Sequence, residues 1–139
     1  MIPMRPRVVI CGSFRRDAAG LRRVFQELEA TGCRILSPIS IDFADPAVSF
    51  VKTDGENDIT ANELERFHLR ALRDADFVWL HAPDGHVGTS AAYELGFAAC
   101  LRNPVFSFDT PADEMLASQI HNAASVFAAL QISKLVSYI

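Results

Sequence analysis

The sequence predicts one α/β domain, a Rossmann- or flavodoxin-like open parallel sheet of four to five strands with helices on both faces. Three observations carry that expectation. Short continuous apolar runs, the mark of strands buried on both faces, alternate with segments whose apolar residues recur at helical spacing. The first two runs close on turn residues, Gly12 and the Ser37-Pro38 pair. Finally, 139 residues, 50% of them hydrophobic, suit a single core and leave little room for a second.

The elements follow in order. RVVICG, Arg7 to Gly12, is a β-branched apolar run ending on glycine and reads as the first buried strand. Leu21, Val24, Phe25 and Leu28 then recur at helical spacing, with Gly32 as the stop. CRILSP is a second short strand. From Ile39 to Asp58 no period is visible, and a loop of that length in a small domain is more often a lid or binding loop than idle chain. Thr60 and Glu63 form a T-x-x-E capping box. The helix they open carries Leu64, Phe67, His68, Ala71, Leu72 and Ala75 on one stripe. DFVWLHAP, from Asp76, is the third strand, an alanine-rich helix follows, and NPVFSFD is the fourth strand. A short helix through Met115 and Leu116 precedes a last one capped by Ser125, with Val126, Ala129, Leu130 and Ser133 at helical spacing. The apolar end KLVSYI suggests an edge that packs on something. No repeat, low-complexity tract or linker interrupts the chain.

Charge and composition narrow the partners. A formal charge of -4 gives no basic face for a nucleic acid, although a locally positive pocket can hold a small anion. No apolar run approaches the ~18 residues that span a membrane, and MIPMRPRVVICG lacks a signal-peptide core. The expected setting is the cytoplasm, without a membrane partner. Cys11, Cys33 and Cys100 are odd in number, lie in apolar surroundings and show no CxxC spacing, so they read as reduced packing residues. No metal-ligand cluster is visible, and no metal or organic cofactor is expected. Trp79 and Tyr93 are expected in the core, and Asp42 and Asp45 carry no legible role.

In an open parallel sheet, ligands bind beyond the carboxyl ends of the strands, where helix starts present backbone N–H groups to anions. Two segments fall there. CGSFRR offers Gly12 for a tight turn, the Ser13 hydroxyl, and the guanidinium forks of Arg15 and Arg16, groups that suit a phosphate or carboxylate. The plainer alternative has Ser13 capping the first helix and both arginines in water. The segment does not match G-x-G-x-x-G, which argues against an ordinary dinucleotide site. In PDGHVGTS, Gly85 and Gly88 permit close backbone approach, Thr89 and Ser90 offer a cap and hydroxyl donors, and Asp84 offers a turn or a ligand contact.

Glu94 is the most informative residue. A capping-box glutamate would stand three residues after its Ser or Thr, where Ala92 and Tyr93 lie instead, and the plainer alternative is a solvated helix residue. Among Ala91, Ala92, Tyr93, Leu95, Gly96 and Ala98 it is the only formal charge between Asp84 and Arg102. An isolated acid near a helix start, held ionised by the helix dipole, is a candidate nucleophile.

CGSFRR, the acid-led strand ADFVWL, GTSAAYELGFA and NPVF together resemble the nucleoside 2-deoxyribosyltransferase superfamily, including its branch of 2'-deoxynucleoside 5'-phosphate N-hydrolases. The resemblance covers nearly the whole chain in motif order, and its most specific part is G-T-x-x-x-Y-E-L-G-x-A running into a P-V strand. It implies that Glu94 attacks the anomeric carbon of a nucleoside or nucleotide. It also implies that the GS-x-R turn, Gly12 to Arg15 with Phe14 as the intervening residue, contacts a 5'-phosphate together with Gly88 and Ser90. A serine from a neighbouring subunit helps there in the family, and Ser118 is the nearest candidate. A homodimer or higher oligomer is implied as well.

Two departures stand out. The family carries an aspartate eight residues before the acid that starts the third strand, and counting back from Asp76 gives His68. The gap from the glycine-threonine pair to Glu94 is longer than in many members. His68 on its inward stripe is either a core histidine bonded to a backbone carbonyl or an imidazole that protonates the departing base. His86 in the glycine loop is a second possible acid. PDGHVGTSAAYE is also similar to the P-G-G-x-G-T-x-x-E run of lysine-decarboxylase-like phosphoribohydrolases, but departs at its second position and in its final gap. Both resemblances imply cleavage or transfer at an N-glycosidic bond. The rival from another class is a non-catalytic nucleotide-binding or sensing module, favoured by His68 in place of the aspartate.

Overall fold

The computed structural model describes residues 5–39 and 60–136, with side chains to Ser133. Most of the expected lid, including Asp42 and Asp45, and the end of KLVSYI lie outside the described residues.

RVVICG forms β1, Arg7–Gly12, residue for residue as its pattern predicts. The chain continues through α1 (Ala18–Ala30), β2 (Arg34–Ser37), α2 (Ala61–Asp74), β3 (Phe77–His81) and α3 (Thr89–Cys100). It ends through β4 (Val105–Ser107), α4 (Glu114–Ala117), β5 (His121–Asn122) and α5 (Val126–Val136). The five strands lie in the order β2-β1-β3-β4-β5 and every pairing is parallel. The expected α/β class and open sheet are therefore present. β5 has only two residues, both exposed, too short for any apolar period to announce it.

Strand alternation sorts the core into two layers. Val8, Ile10, Phe77, Trp79 and Phe106 face one side, where α1 and α5 supply Leu21, Leu28, Val126 and Ala129. Val9, Cys11, Val78, Leu80 and Val105 face the other, where α2 and α3 supply Ala71, Leu72, Leu95 and Ala98. Each fully buried leucine, valine or phenylalanine contributes about 1.5–3 kcal/mol relative to exposure. The same parity places the Cys11 thiol under α2 and α3.

Local chemistry sets the helix ends. Asp17, not Ser13, caps α1, accepting from the Gly20 N–H at 3.0 Å. Thr60 caps α2 by accepting from the Glu63 N–H at 3.2 Å, as the capping box predicts. The Ser125 hydroxyl accepts from the Ala128 N–H at 3.1 Å at the start of α5. α3 departs from expectation. Its N-cap is Gly88, in extended conformation and without a side-chain cap, so Thr89 and Ser90 belong to the first turn and cap nothing.

Gly12 is required where β1 meets β3. Its φ is 134°, and a Cβ there would lie 2.0 Å from the His81 carbonyl oxygen. The next residue uses the close approach, its N–H donating to that oxygen at 3.0 Å. Two core assignments are corrected. Ala91, Glu94, Leu95 and Ala98 form the inward stripe of α3, which turns Tyr93 outward to 64% exposure; Trp79 is buried as expected. Cys11 and Cys33 are buried, but Cys100, at the end of α3, is exposed.

Candidate active site

The carboxyl ends of β1 and β2 and the segment after β3 open onto a cavity of about 720 Å³, within the range of about 300–1,000 Å³ typical of small-molecule sites. It lies where the strand order changes direction, between β1 and β3, as open α/β sheets lead one to expect. Gly12, Ser13, Phe14, Arg15 and Arg16 line it from the turn after β1, and Ser37 and Pro38 from the end of β2. Glu65 and His68 line it from α2, and His86, Gly88, Thr89, Ser90 and Glu94 from the loop and helix after β3.

Most of the residues picked out in the sequence are thus brought together. Ser13 Oγ donates to the His86 carbonyl oxygen at 3.5 Å and joins the two turns. The first turn of α3 faces the cavity with no side-chain cap, which leaves its N–H groups to a ligand. Asp84 and Ser118 line no part of the cavity. Asp84 makes the turn, with φ 56°, and its N–H donates to Asp109 Oδ2 at 3.2 Å. Ser118 ends α4, and its hydroxyl donates to the Met115 carbonyl oxygen at 2.7 Å.

The cavity floor is a cluster of buried polar groups. His68 Nε2 lies 3.3 Å from Glu94 Oε1, and both residues are under 10% exposed. The other ring nitrogen, Nδ1, is 2.7 Å from Ser37 Oγ. His68 is therefore buried on its inward stripe, but it bonds a hydroxyl and a carboxylate rather than a backbone carbonyl. Cys11 Sγ stands 3.4 Å from Nε2.

These contacts answer why a carboxylate stands at position 94. Burial pushes the Glu94 carboxyl up, but the hydrogen bond and charge of His68, with hydrogen bonds from Glu65 and Cys11, outweigh it and hold the group below its ordinary value. The expected agent, the helix dipole, is not the main one: Glu94 sits in the second turn, and the dipole's influence fades within the first. Glu65 moves the opposite way. Burial first, then the neighbouring Glu94, push it up to about 7. Below about pH 7, Glu65 holds a proton while Glu94 is ionised. Burial, followed by the charge of Glu94, also drives the Cys11 thiol well above its usual range.

Sequence reasoning missed Glu65, Ser37 and Cys11 as members of this cluster. It also saw no group of metal ligands, whereas the fold assembles one from distant segments: the ligand atoms of Cys11, His68 and Glu94 all lie within 4.8 Å of one another. Among the described residues, no helix is long and apolar enough to cross a membrane.

No model of a protein family matches the sequence, and no curated protein does either. Solved structures do. The CMP N-glycosidase BcmB of Clostridium botulinum matches with a TM-score of 0.56 over 96% of this chain and 99% of that one. This chain shares the fold of a CMP N-glycosidase. At 12% identity the likeness is one of fold. A 2-desoxiribosyltransferase from Leishmania mexicana is a weaker match, 18% identical over 76% of this chain and 66% of that one, with a TM-score of 0.45.

Proposed function

We propose that this protein cleaves, or transfers, the N-glycosidic bond of a nucleoside or nucleoside 5'-monophosphate, with Glu94 as nucleophile. The observation that carries the reading is a buried, ionised carboxylate held by three donors on the floor of a nucleoside-sized cavity. The N-glycosidase fold and the motif resemblance support it.

In the first step a Glu94 oxygen bonds to C1' through an oxocarbenium-like transition state. The C1'–N bond breaks and its electron pair leaves with the base. Glu65, which lines the cavity beside Glu94, gives the base a proton. In the second step water attacks C1', returns a proton to Glu65 and releases Glu94; a second base in place of water gives transfer. His68 takes a different part from the expected acid. Both ring nitrogens are engaged, so it acts as a positioning residue for the nucleophile. His86, exposed on the cavity wall, is the other group that can donate a proton. The mechanism calls on no cofactor.

For a 5'-phosphate, the reading uses the Ser13 hydroxyl, Arg15, and the uncapped start of α3 at Gly88, Thr89 and Ser90. Gly12 and Phe14 shape that turn, and Asp84 has no part. Ser118 would enter only from a second copy of the chain, so a homodimer belongs to the same proposal.

The test is detection of free base by mass spectrometry across ribo- and deoxyribonucleosides and their 5'-monophosphates, with Glu94→Ala alongside. Base released by the native protein and not by the variant is expected. An active Glu94→Ala would sink the nucleophile, and silence across the panel with ligand-induced rises in Tm would favour the non-catalytic binding module.

A further inference from the structure

We propose that Cys11, His68 and Glu94 form a zinc site that, when filled, takes the nucleophile out of use. The three residues come from β1, α2 and α3, and all are buried. Cys11 Sγ is 3.4 Å from His68 Nε2, and that nitrogen is 3.3 Å from Glu94 Oε1. A tetrahedral zinc ion with bonds of about 2.3 Å to sulfur and about 2.0 Å to nitrogen and oxygen spans ~3.6 Å from S to N and ~3.3 Å from N to O. The Cys11–His68 and His68–Glu94 pairs already stand near those spacings, and all three ligand atoms lie within 4.8 Å of one another.

The donor set selects the metal. A thiolate with an imidazole suits zinc and disfavours magnesium and calcium, which prefer oxygen. Ser37 Oγ, 2.7 Å from Nδ1, supplies the outer partner that fixes a ligating imidazole and turns Nε2 to the metal. His68, Glu94 and Glu65 line the cavity, so the site opens on that side to a water or a fourth ligand. Glu65 Oε1 is buried there without a hydrogen-bond partner.

Zn²⁺ forms bonds to Sγ, Nε2 and Oε1. The thiol proton leaves to solvent, and the Nε2 hydrogen is replaced by one on Nδ1, which Ser37 accepts. One thiolate and one carboxylate balance the dication, and no oxidation state changes. Loss of catalysis on binding rests on the glycosidase reading above; the metal site itself does not.

The probe is Co²⁺ titrated into the metal-free, full-length protein. Thiolate-to-cobalt charge transfer reports a cysteine ligand, and intense visible d–d bands report tetrahedral geometry. One equivalent should produce both signals and Zn²⁺ should erase them. Cys11→Ser should lose the charge-transfer band, Ser37→Ala should bind about tenfold more weakly or worse, and Cys100→Ser should leave the spectrum unchanged. A native protein without the band, a Cys11→Ser protein that keeps it, or a Cys100→Ser protein that loses it overturns the site. If Cys11→Ser does not fold, unaltered cobalt affinity in Ser37→Ala has the same force. Equimolar Zn²⁺ should also stop base release, and a chelator should restore it; release that continues in a zinc-loaded protein refutes the inhibition. Cobalt bands in a protein that releases no base would remove the glycosidase reading and leave the metal site standing.

Discussion

Replacing His68 by alanine separates a structural role for the imidazole from a role exercised through Glu94. The change removes the Nε2 donor 3.3 Å from Glu94 Oε1 and the Nδ1 partner of Ser37, inside a cluster less than 10% exposed. Removing the imidazole that faces a buried, ionised carboxylate costs about 3–5 kcal/mol, because the remaining charge is left uncompensated. Glu94 keeps hydrogen bonds from Glu65 and Cys11, which puts the expected loss at the low end, about 3 kcal/mol. At roughly 2–4 °C per kcal/mol for a domain of this size, Tm should fall by about 6–12 °C. Glu94→Ala alone should cost far less, since it removes a desolvated acid and leaves His68 bonded to Ser37. The double variant His68→Ala/Glu94→Ala should be more stable than the sum of the two losses predicts, with a coupling of about 1–3 kcal/mol. Urea unfolding of all four proteins, followed by circular dichroism, measures this directly. Additive losses, or a Glu94→Ala protein as damaged as His68→Ala, would refute the argument that the imidazole stabilises a buried carboxylate.

Three further outcomes follow from the same geometry. Arg15→Ala should raise the Kd of a nucleoside 5'-monophosphate about tenfold or more and leave the free nucleoside nearly unaffected; equal losses by calorimetry would remove the phosphate assignment. Ser90→Asp sits in the uncapped first turn of α3, so it should raise stability by about 0.3–1 kcal/mol through the helix dipole and weaken monophosphate binding by repulsion. Gly12→Ala forces a Cβ to within 2.0 Å of the His81 carbonyl oxygen at φ 134°, and should lower unfolding stability by at least ~2 kcal/mol; a melt equal to the native one would contradict the tight β1–β3 approach.

The fold was legible where a single element carries its own period. RVVICG, the T-x-x-E box at Thr60 and the Ser125 cap each needed only neighbouring residues to be read, and each stands as expected. The site was legible where chemistry contradicts its surroundings, as with Glu94 in an alanine-rich helix. What escaped notice depends on the third dimension. Cys11 looks like packing until the sheet order shows that its parity faces α2 and α3. Glu65 stands one turn before His68, an i, i+3 signal available in the sequence, but its high pKa arises from Glu94 on another helix. Tyr93 and Thr89 were misplaced for a smaller reason. The start of α3 falls on a glycine, which offers no side chain to mark it.

The alternation of β1 has a consequence for how such a protein can change over generations. Val8 and Ile10 belong to one layer, Val9 and Cys11 to the other. Inserting or deleting one residue inside this strand would exchange the layers, bringing an isoleucine side chain to the acid of α3 and carrying the thiol to the opposite side. The same edit after Gly12 would change only the length of a turn. The cavity's rim is therefore free to drift in length and sequence, while its floor tolerates point substitutions only. New specificities can accumulate at Ser13 to Arg16 without disturbing the carboxylate beneath them.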